Sequence, residues 1–87
     1  MKSDLPKRWM MYVLECADNS FYAGVTTDLQ RRVYEHNHTN RAAKYTRCRR
    51  PVKLLYFESH LDRSSAQIAE YAFKKLTRKQ KEEKLCL

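Results

Sequence analysis

Two phenols, a guanidinium, an imidazole and a carboxylate stand out in the sequence as side chains able to do chemistry. They belong to Tyr12, Tyr22, Arg32, His36 and Glu70. An imidazole or an activated phenol can accept a proton, a guanidinium binds phosphate oxygens, and a carboxylate holds a hard cation such as Mg²⁺. Taken singly, each has an ordinary structural explanation, because a strand Tyr usually lies in the core and a helical Glu usually forms a surface ion pair.

Basic residues dominate the chain and cluster in its middle. The 87 residues include 18 Lys and Arg against 10 Asp and Glu, which gives a formal net charge of +8. The commonest partner of a small, strongly basic domain is a polyanion such as nucleic acid. Residues 39–50 show no regular apolar spacing, so we interpret them as a long exposed loop that contacts nucleic acid. The candidate contacts there are Arg41, Lys44, Tyr45, Arg47, Arg49 and Arg50.

A second basic group lies near the C-terminus and has two explanations. It comprises Lys74, Lys75, Arg78, Lys79, Lys81 and Lys84. These side chains could extend the contact with nucleic acid, or they could form a solvated helix face balanced by Glu82 and Glu83.

Two short apolar runs position the two tyrosines. Residues 9–16 and 21–26 are rich in side chains that suit a pleated strand, and the Asp-Asn-Ser segment between them favours a tight turn. The pattern therefore predicts an antiparallel hairpin. Tyr12 and Tyr22 lie on its two strands and can approach each other across them.

A predicted helix positions the guanidinium and the imidazole. Thr27 and Gln30 match a capping box, and apolar residues at helical spacing follow for about ten residues. Arg32 and His36 are four residues apart, so they project from the same side of this helix.

The remaining elements position the carboxylate and complete the fold. Residues 52–59 predict a third strand, and capping boxes at Ser64 and Thr77 predict two further helices. The apolar face of the first of these helices comprises Ile68, Ala69, Ala72, Phe73 and Leu76, and Glu70 lies at its edge. The sequence thus predicts an α+β fold, a small three-stranded antiparallel sheet flanked by helices in the order β-β-α-β-α-α.

Length and composition limit the other possibilities. The chain is long enough for one core, which we place at residues 9–87 as a single domain after a flexible N-terminal arm at residues 1–8. Three widely spaced cysteines without a CxxC pair indicate neither a zinc ribbon nor a disulfide framework. The sequence has no signal-like apolar segment and no run that could span a bilayer, so we expect a cytoplasmic protein without a membrane partner.

The ordered set of these residues resembles the motif of the GIY-YIG nuclease family, in particular its small stand-alone bacterial members. Met10-Met11-Tyr12 stands at the first tripeptide and Tyr22-Ala23-Gly24 at the second, with nine residues between them. Arg32, His36 and Glu70 follow in the order and spacing of the family. The resemblance covers nearly the whole chain.

The resemblance implies a domain that hydrolyses DNA phosphodiester bonds with one divalent cation, Mg²⁺ or Mn²⁺. Tyr22 would be the general base or the activator of the attacking water, and Tyr12 would support it by hydrogen bonding to water or phosphate. Arg32 would clamp the scissile phosphate, and Glu70 would hold the metal. His36 would assist proton transfer or orient the site. It is also the rival base, because the reference pKa of imidazole is ~6.5 and that of a phenol is ~10.

Several positions depart from the family pattern. Met10 and Met11 replace the Gly and Ile of the first tripeptide, and Ala23 replaces the Ile of the second, but side chains at these positions pack rather than react. No Lys follows the second tripeptide and no Asn near the C-terminus matches the one that some relatives use. Thr26 and Lys44 are candidates for assisting residues.

Two other functions use the same residues. A nucleic-acid-binding module on the same fold would keep the basic segment while cleaving weakly or not at all. A zinc protein would use His36, His38, His60 and the cysteines, but their spacing matches no known finger pattern. DNA repair, recombination and defence are all consistent with a nuclease of this size.

Overall fold

A computed structural model describes residues 8–87 of the chain, and its centre is a three-stranded antiparallel sheet. The strands are β1 (Trp9–Glu15), β2 (Phe21–Thr26) and β3 (Lys53–His60), arranged in the order β2-β1-β3. β1 and β2 form the predicted hairpin, and Asn19 in its turn adopts a left-handed conformation with φ 68°. The central strand is therefore β1, the strand that carries Tyr12.

The register of the hairpin brings the two tyrosines to one face of the sheet. Tyr12 pairs with Gly24, and Leu14 pairs with Tyr22. Because side chains alternate between the faces of a strand, Tyr12 and Leu14 share a face, and so does Tyr22 opposite Leu14.

Four helices cover the sheet and confirm the predicted α+β fold. They are α1 (Leu29–His38), α2 (Lys44–Arg47), α3 (Arg63–Lys74) and α4 (Arg78–Lys84). The main elements follow the predicted order β-β-α-β-α-α, and α2 is an additional single turn within residues 39–50. Our prediction of a long exposed loop there was wrong, because Ala42 and Thr46 are buried and hold this segment against the domain.

Both faces of β1 are apolar because helices cover both. Met11 and Val13 pack with Phe73 of α3 on one face, while Tyr12 and Leu14 belong to the cluster that includes Leu29 and Val33 of α1 on the other. The alternation of a half-exposed strand is therefore absent, and four consecutive residues of β1 are buried. The fold is a three-layer arrangement with the candidate site on the α1 face.

Two helices begin at an aspartate rather than at the residue that we predicted. Asp28 caps α1 in place of Thr27, and Asp62 caps α3 in place of Ser64. Their carboxylates accept backbone N–H hydrogen bonds at 3.1 and 2.8 Å, and a negative charge there is favoured by the helix dipole. The capping box at Thr77 is confirmed.

The buried stripe of α3 differs from the prediction at two positions. Ile68 is 68% exposed and Ala72 is also exposed, so our assignment of both to the apolar face was wrong. The stripe of α3 that faces the core instead comprises Ala66, Ala69 and Phe73, and Leu76 continues it just after the helix ends. These residues are separated by three, four and three positions, which is the spacing of side chains on one face of a helix.

The described part of the chain begins at Arg8. The arm that we predicted over residues 1–8 lies outside it except for Arg8, whose Nε donates a hydrogen bond to Ser59 Oγ at 3.1 Å. Among residues 8–87, no helix combines the length and the apolar character that crossing a membrane requires.

Candidate active site

Three of the predicted catalytic side chains meet on the α1 face of the sheet. The Tyr12 hydroxyl lies 2.8 Å from His36 Nε2, and the Tyr22 ring meets the same imidazole edge-on with centroids 5.2 Å apart. Tyr12 reaches this position by folding across Gly24, the only glycine in the sequence. A Cβ at position 24 would lie 2.6 Å from the Tyr12 hydroxyl oxygen, so the tyrosine needs a glycine opposite it.

A threonine fixes the direction of the hydrogen bonds through the imidazole. Thr46 Oγ1 donates to the Ala43 carbonyl at 3.0 Å and lies 2.7 Å from His36 Nδ1. Because the threonine proton is engaged, Nδ1–H donates to Thr46, and Nε2 accepts the hydrogen bond of the Tyr12 hydroxyl. Sequence reasoning missed Thr46, since nothing in its neighbours signals that a hydroxyl in a basic segment is buried.

Burial keeps this chain of side chains neutral. Burial, together with the charges of Arg32 and Arg50, lowers the pKa of His36 to about 4. Burial also raises the pKa of Tyr12, and the neighbouring Tyr22 adds to the rise. His36 is fully buried and both of its ring nitrogens have partners, so it can hold Tyr12 in place but has no nitrogen available for a bound substrate.

Tyr22 differs from Tyr12 in being accessible. Its side chain is only partly buried, and within residues 8–87 its hydroxyl has no hydrogen-bond partner. Its ring stacks on Tyr45 with centroids 6.0 Å apart, and the Arg49 guanidinium lies 3.9 Å from the centre of the Tyr45 ring. Contacts with these two groups hold the ring of Tyr45, and among residues 8–87 no side chain or backbone group engages the hydroxyl of Tyr22.

Arg32 lies beside this cluster with part of its guanidinium engaged. Nη1 donates to Glu35 Oε1 at 3.0 Å and to the Arg41 carbonyl at 2.9 Å. A guanidinium has five N–H donors, so others remain for a phosphate. The charge of Arg32 lowers the pKa of His36 and partly offsets the increase in the pKa of Tyr12. Arg32 is therefore close enough to affect both side chains.

Glu70 lies on α3, the helix that packs on the other face of β1, and it has a lysine partner. Lys74 Nζ lies 2.7 Å from Glu70 Oε2, one helical turn away, and the Glu70 side chain is 19% exposed. The charge of Glu70 also contributes to the raised pKa of Tyr12. Sequence reasoning placed Lys74 in a solvated or DNA-binding group and did not connect it with Glu70, although the i, i+4 spacing carried that signal.

The donor set fits a hard cation that keeps most of its water. Within residues 8–87, no three His, Cys, Asp or Glu side chains form a group that could enclose a metal ion. Mg²⁺ does not need such a group, because it binds through one or two carboxylates together with substrate phosphates and water. Glu70 can serve as that carboxylate once Lys74 releases it.

The predicted nucleic-acid contacts fall into two groups. Arg41, Lys44 and Arg47 are exposed, and Tyr45 is 39% exposed. Arg50 instead donates to the His36 carbonyl at 2.6 Å and to the Thr39 carbonyl, so it caps the C-terminal end of α1. Contact of Arg50 with nucleic acid stays a prediction, and these carbonyls engage part of its guanidinium.

Arg49 occupies an intermediate position between those groups. Its Nε donates to Asp18 Oδ2 at 3.0 Å and its Nη1 donates to the Tyr45 carbonyl at 2.9 Å. These contacts tie α2 to the β1–β2 turn. The side chain thus orders the basic segment in addition to any contact with nucleic acid.

Comparison with known proteins identifies the family. The profile described as the GIY-YIG catalytic domain matches residues 8–83. A UPF0213 protein of Bacillus cereus is 56% identical over 72 residues, which cover 83% of this chain and 74% of the relative. A UPF0213 protein of Desulfotalea psychrophila is 49% identical over 69 residues, which cover 79% of this chain and 63% of the relative.

A solved structure agrees with the fold. The solution NMR structure of the protein EF2693 from E. faecalis is 54% identical and superposes with a TM-score of 0.62. The match covers 92% of this chain and 84% of that one. The resemblance that the tripeptides and their spacing indicated is therefore confirmed, and so is the sheet with its flanking helices.

Proposed function

Because this chain belongs to the GIY-YIG family, we propose that it is a DNA endonuclease that hydrolyses phosphodiester bonds with one divalent cation, Mg²⁺ or Mn²⁺. The observation that carries the proposal is a hydrogen-bonded phenol–imidazole pair with a partly exposed phenol and a guanidinium beside it on the α1 face. The carboxylate of Glu70, on α3, is near enough for its charge to raise the pKa of Tyr12. Hydrolysis of a phosphodiester requires a proton acceptor, groups that hold the reactants in place and a positive charge near the phosphate. The exposed phenol, the phenol–imidazole pair and the guanidinium can supply these in turn.

In the proposed mechanism, each side chain has one task. Tyr22, acting as the phenolate, would accept the proton of the attacking water, since its side chain is the more exposed of the two phenols. The water oxygen bonds to phosphorus as the P–O bond to the leaving sugar oxygen breaks, and that oxygen takes a proton from solvent. Tyr12, held by His36, orients the water or a phosphate oxygen from the buried side. Arg32 donates hydrogen bonds to the phosphate and offsets the charge that develops during attack. Glu70 holds the cation, which when bound stabilises negative charge on the phosphate oxygens.

Loss of the carboxylate tests this function. Glu70→Gln should abolish cleavage of labelled single-stranded and duplex DNA in Mg²⁺ or Mn²⁺, with a drop of at least about 100-fold, as expected for losing a group that stabilises the transition state. DNA binding, measured by fluorescence anisotropy, should persist. Glu83→Gln is the matched control, because Glu83 is exposed on α4 and undergoes the same change in charge.

The binding module is the second candidate, and the ion pair between Glu70 and Lys74 is the observation that favours it. A carboxylate held by a lysine at 2.7 Å is occupied rather than ready for a metal. A wild-type protein that binds DNA but cleaves nothing in either Mg²⁺ or Mn²⁺ would support this alternative and contradict the endonuclease.

A further inference from the structure

A cavity of about 260 Å³ opens beside Tyr22, between β2 and the helices α2, α3 and α4. Its lining includes one alanine and four aromatic side chains, those of Ala23, Phe21, Tyr22, Tyr45 and Phe73. Two ammonium groups, those of Lys74 and Lys81, complete the lining. No step of the proposed mechanism uses this cavity, although its wall includes the phenol that we assign as the base.

We propose that this cavity binds one nucleobase of the DNA substrate, that of a nucleotide next to the phosphate under attack. The inference rests on the proposed function and deepens it by assigning a subsite. Its volume is below the ~300–1,000 Å³ of pockets that enclose drug-sized ligands, and thus suits a single flat heterocycle. Aromatic walls with cations at the edge are the surroundings in which proteins hold unpaired bases.

The wall of the cavity is already ordered for such a ligand. The Tyr45 ring contacts both the Arg49 guanidinium and the Tyr22 ring, and Arg49 is itself anchored by Asp18. Three flat groups in mutual contact resist displacement, so little side-chain entropy is lost when a base enters. The base packs against this ordered wall and against Phe21 on the side of β2.

Charge favours a nucleotide over an uncharged aromatic ligand. Lys74 is paired with Glu70, whereas Lys81 has no salt bridge within the part of the chain that the structure describes. The Lys81 ammonium is therefore the cation available to the backbone phosphate of the nucleotide whose base occupies the cavity. A base within a duplex cannot enter, so the occupant is an unpaired base.

Abasic substitution tests the subsite without requiring cleavage. Single-stranded 12-nucleotide probes, each carrying one abasic residue at a different position, are titrated with protein in EDTA and read by fluorescence anisotropy. We expect one position, or two neighbouring ones, at which loss of the base weakens binding by about 5- to 10-fold, in line with the ~1–3 kcal/mol that contact between a base and an aromatic side chain contributes.

Two variants assign the effect to the cavity. Tyr45→Ala removes a wall from a partly exposed position and should abolish the position dependence. Lys81→Gln should weaken binding of the intact probe more than Lys79→Gln does, since Lys79 lies on the same helix, carries the same charge and does not line the cavity.

Each result is decisive. Binding that is equally strong for every abasic position overturns the subsite and leaves the proposed endonuclease standing. A position effect that survives in Tyr45→Ala also overturns it, because the base is then held elsewhere. Failure of the wild-type protein to bind any single-stranded probe at low salt also overturns the subsite, whereas the endonuclease is overturned only if neither single-stranded nor duplex DNA is cleaved in Mg²⁺ or Mn²⁺.

Discussion

Tyr12 and Tyr22 lie on neighbouring strands and on the same face of the sheet, yet their surroundings are opposite. Tyr12 is fully buried, and its hydroxyl donates to an imidazole that a threonine holds from behind. Tyr22 is partly exposed, with an unengaged hydroxyl at the edge of a cavity. The site therefore has a buried side, formed by Tyr12, His36 and Thr46, and an open side, formed by Tyr22, Glu70 and Lys74.

This division separates two tasks that one phenol would perform poorly. A group that exchanges protons with water must be accessible, whereas a group that fixes geometry must lose its freedom before substrate arrives. The buried side provides rigidity because each of its polar atoms has a partner. The open side provides reactivity and binding.

The largest expected difference is between the two phenylalanine variants. Tyr22→Phe should reduce the cleavage rate by about 100-fold or more, the usual contribution of a general base, while changing stability by no more than about 0.5 kcal/mol. Tyr12→Phe should lower the free energy of unfolding by about 1–3 kcal/mol, because it leaves buried His36 Nε2 without a donor. Cleavage assays and urea unfolding measure the two effects.

The opposite result, with stability lost in Tyr22→Phe and not in Tyr12→Phe, would contradict the distinction between the buried side and the open side. If Tyr22→Phe unfolds at much lower urea while Tyr12→Phe keeps its stability, the hydroxyl of Tyr22 has a structural partner that we have not assigned. If both variants cleave like the wild-type protein, neither phenol takes part in proton transfer.

Acid should destabilise the buried side through His36. Its pKa is about 4 in the folded protein and 6.5 ordinarily, so between those values the unfolded chain binds a proton that the folded chain does not. Stability is unaffected by this group above pH 6.5 and falls as the pH is lowered toward 4, by up to about 3 kcal/mol.

Urea unfolding of two variants across this range isolates the histidine. His36→Gln cannot charge, so its free energy of unfolding should vary less between pH 6.5 and 4.5 than that of the wild-type protein. His38→Gln, a change at an exposed position on the same helix, should keep the wild-type slope. Equal slopes in all three proteins would mean that His36 is not the group that acid titrates.

The sequence predicted the parts of the site that local spacing determines. The hairpin aligned Tyr12 and Tyr22, and a four-residue separation on one helix set Arg32 beside His36. What it could not predict depends on packing between distant segments. Thr46 becomes a partner of His36 only because α2 packs against α1, which the sequence of residues 39–50 does not signal.

The same reason explains why the sequence did not predict the surroundings of Arg50 and Ile68. Arg50 belongs to the basic segment, but the end of α1 lies within its reach, and helix carbonyls accept its hydrogen bonds. Ile68 fits an apolar helical stripe, but it is 68% exposed, whereas Ala69 and Phe73 are the α3 side chains in the core cluster. In both cases the packing of neighbouring elements, and not the local sequence pattern, determines the surroundings of the side chain.

The smallest expected effect concerns the open side, where Lys74 competes with a metal for Glu70. The lysine must leave before the carboxylate can bind a cation, so its removal should tighten binding of Mn²⁺ to the protein without DNA. We expect Lys74→Gln to bind Mn²⁺ about 2- to 5-fold more tightly by isothermal titration calorimetry, because an i, i+4 ion pair contributes ~0.3–1 kcal/mol.

Lys75→Gln separates this competition from the general effect of charge. Lys75 is the adjacent lysine, and its ammonium lies 4.4 Å from the centre of the Tyr71 ring rather than at Glu70. Both variants reduce the net charge by one, so long-range attraction of a cation changes equally in the two. A selective gain in Lys74→Gln therefore reports release of Glu70, whereas equal gains would mean that the ion pair does not restrict the open side.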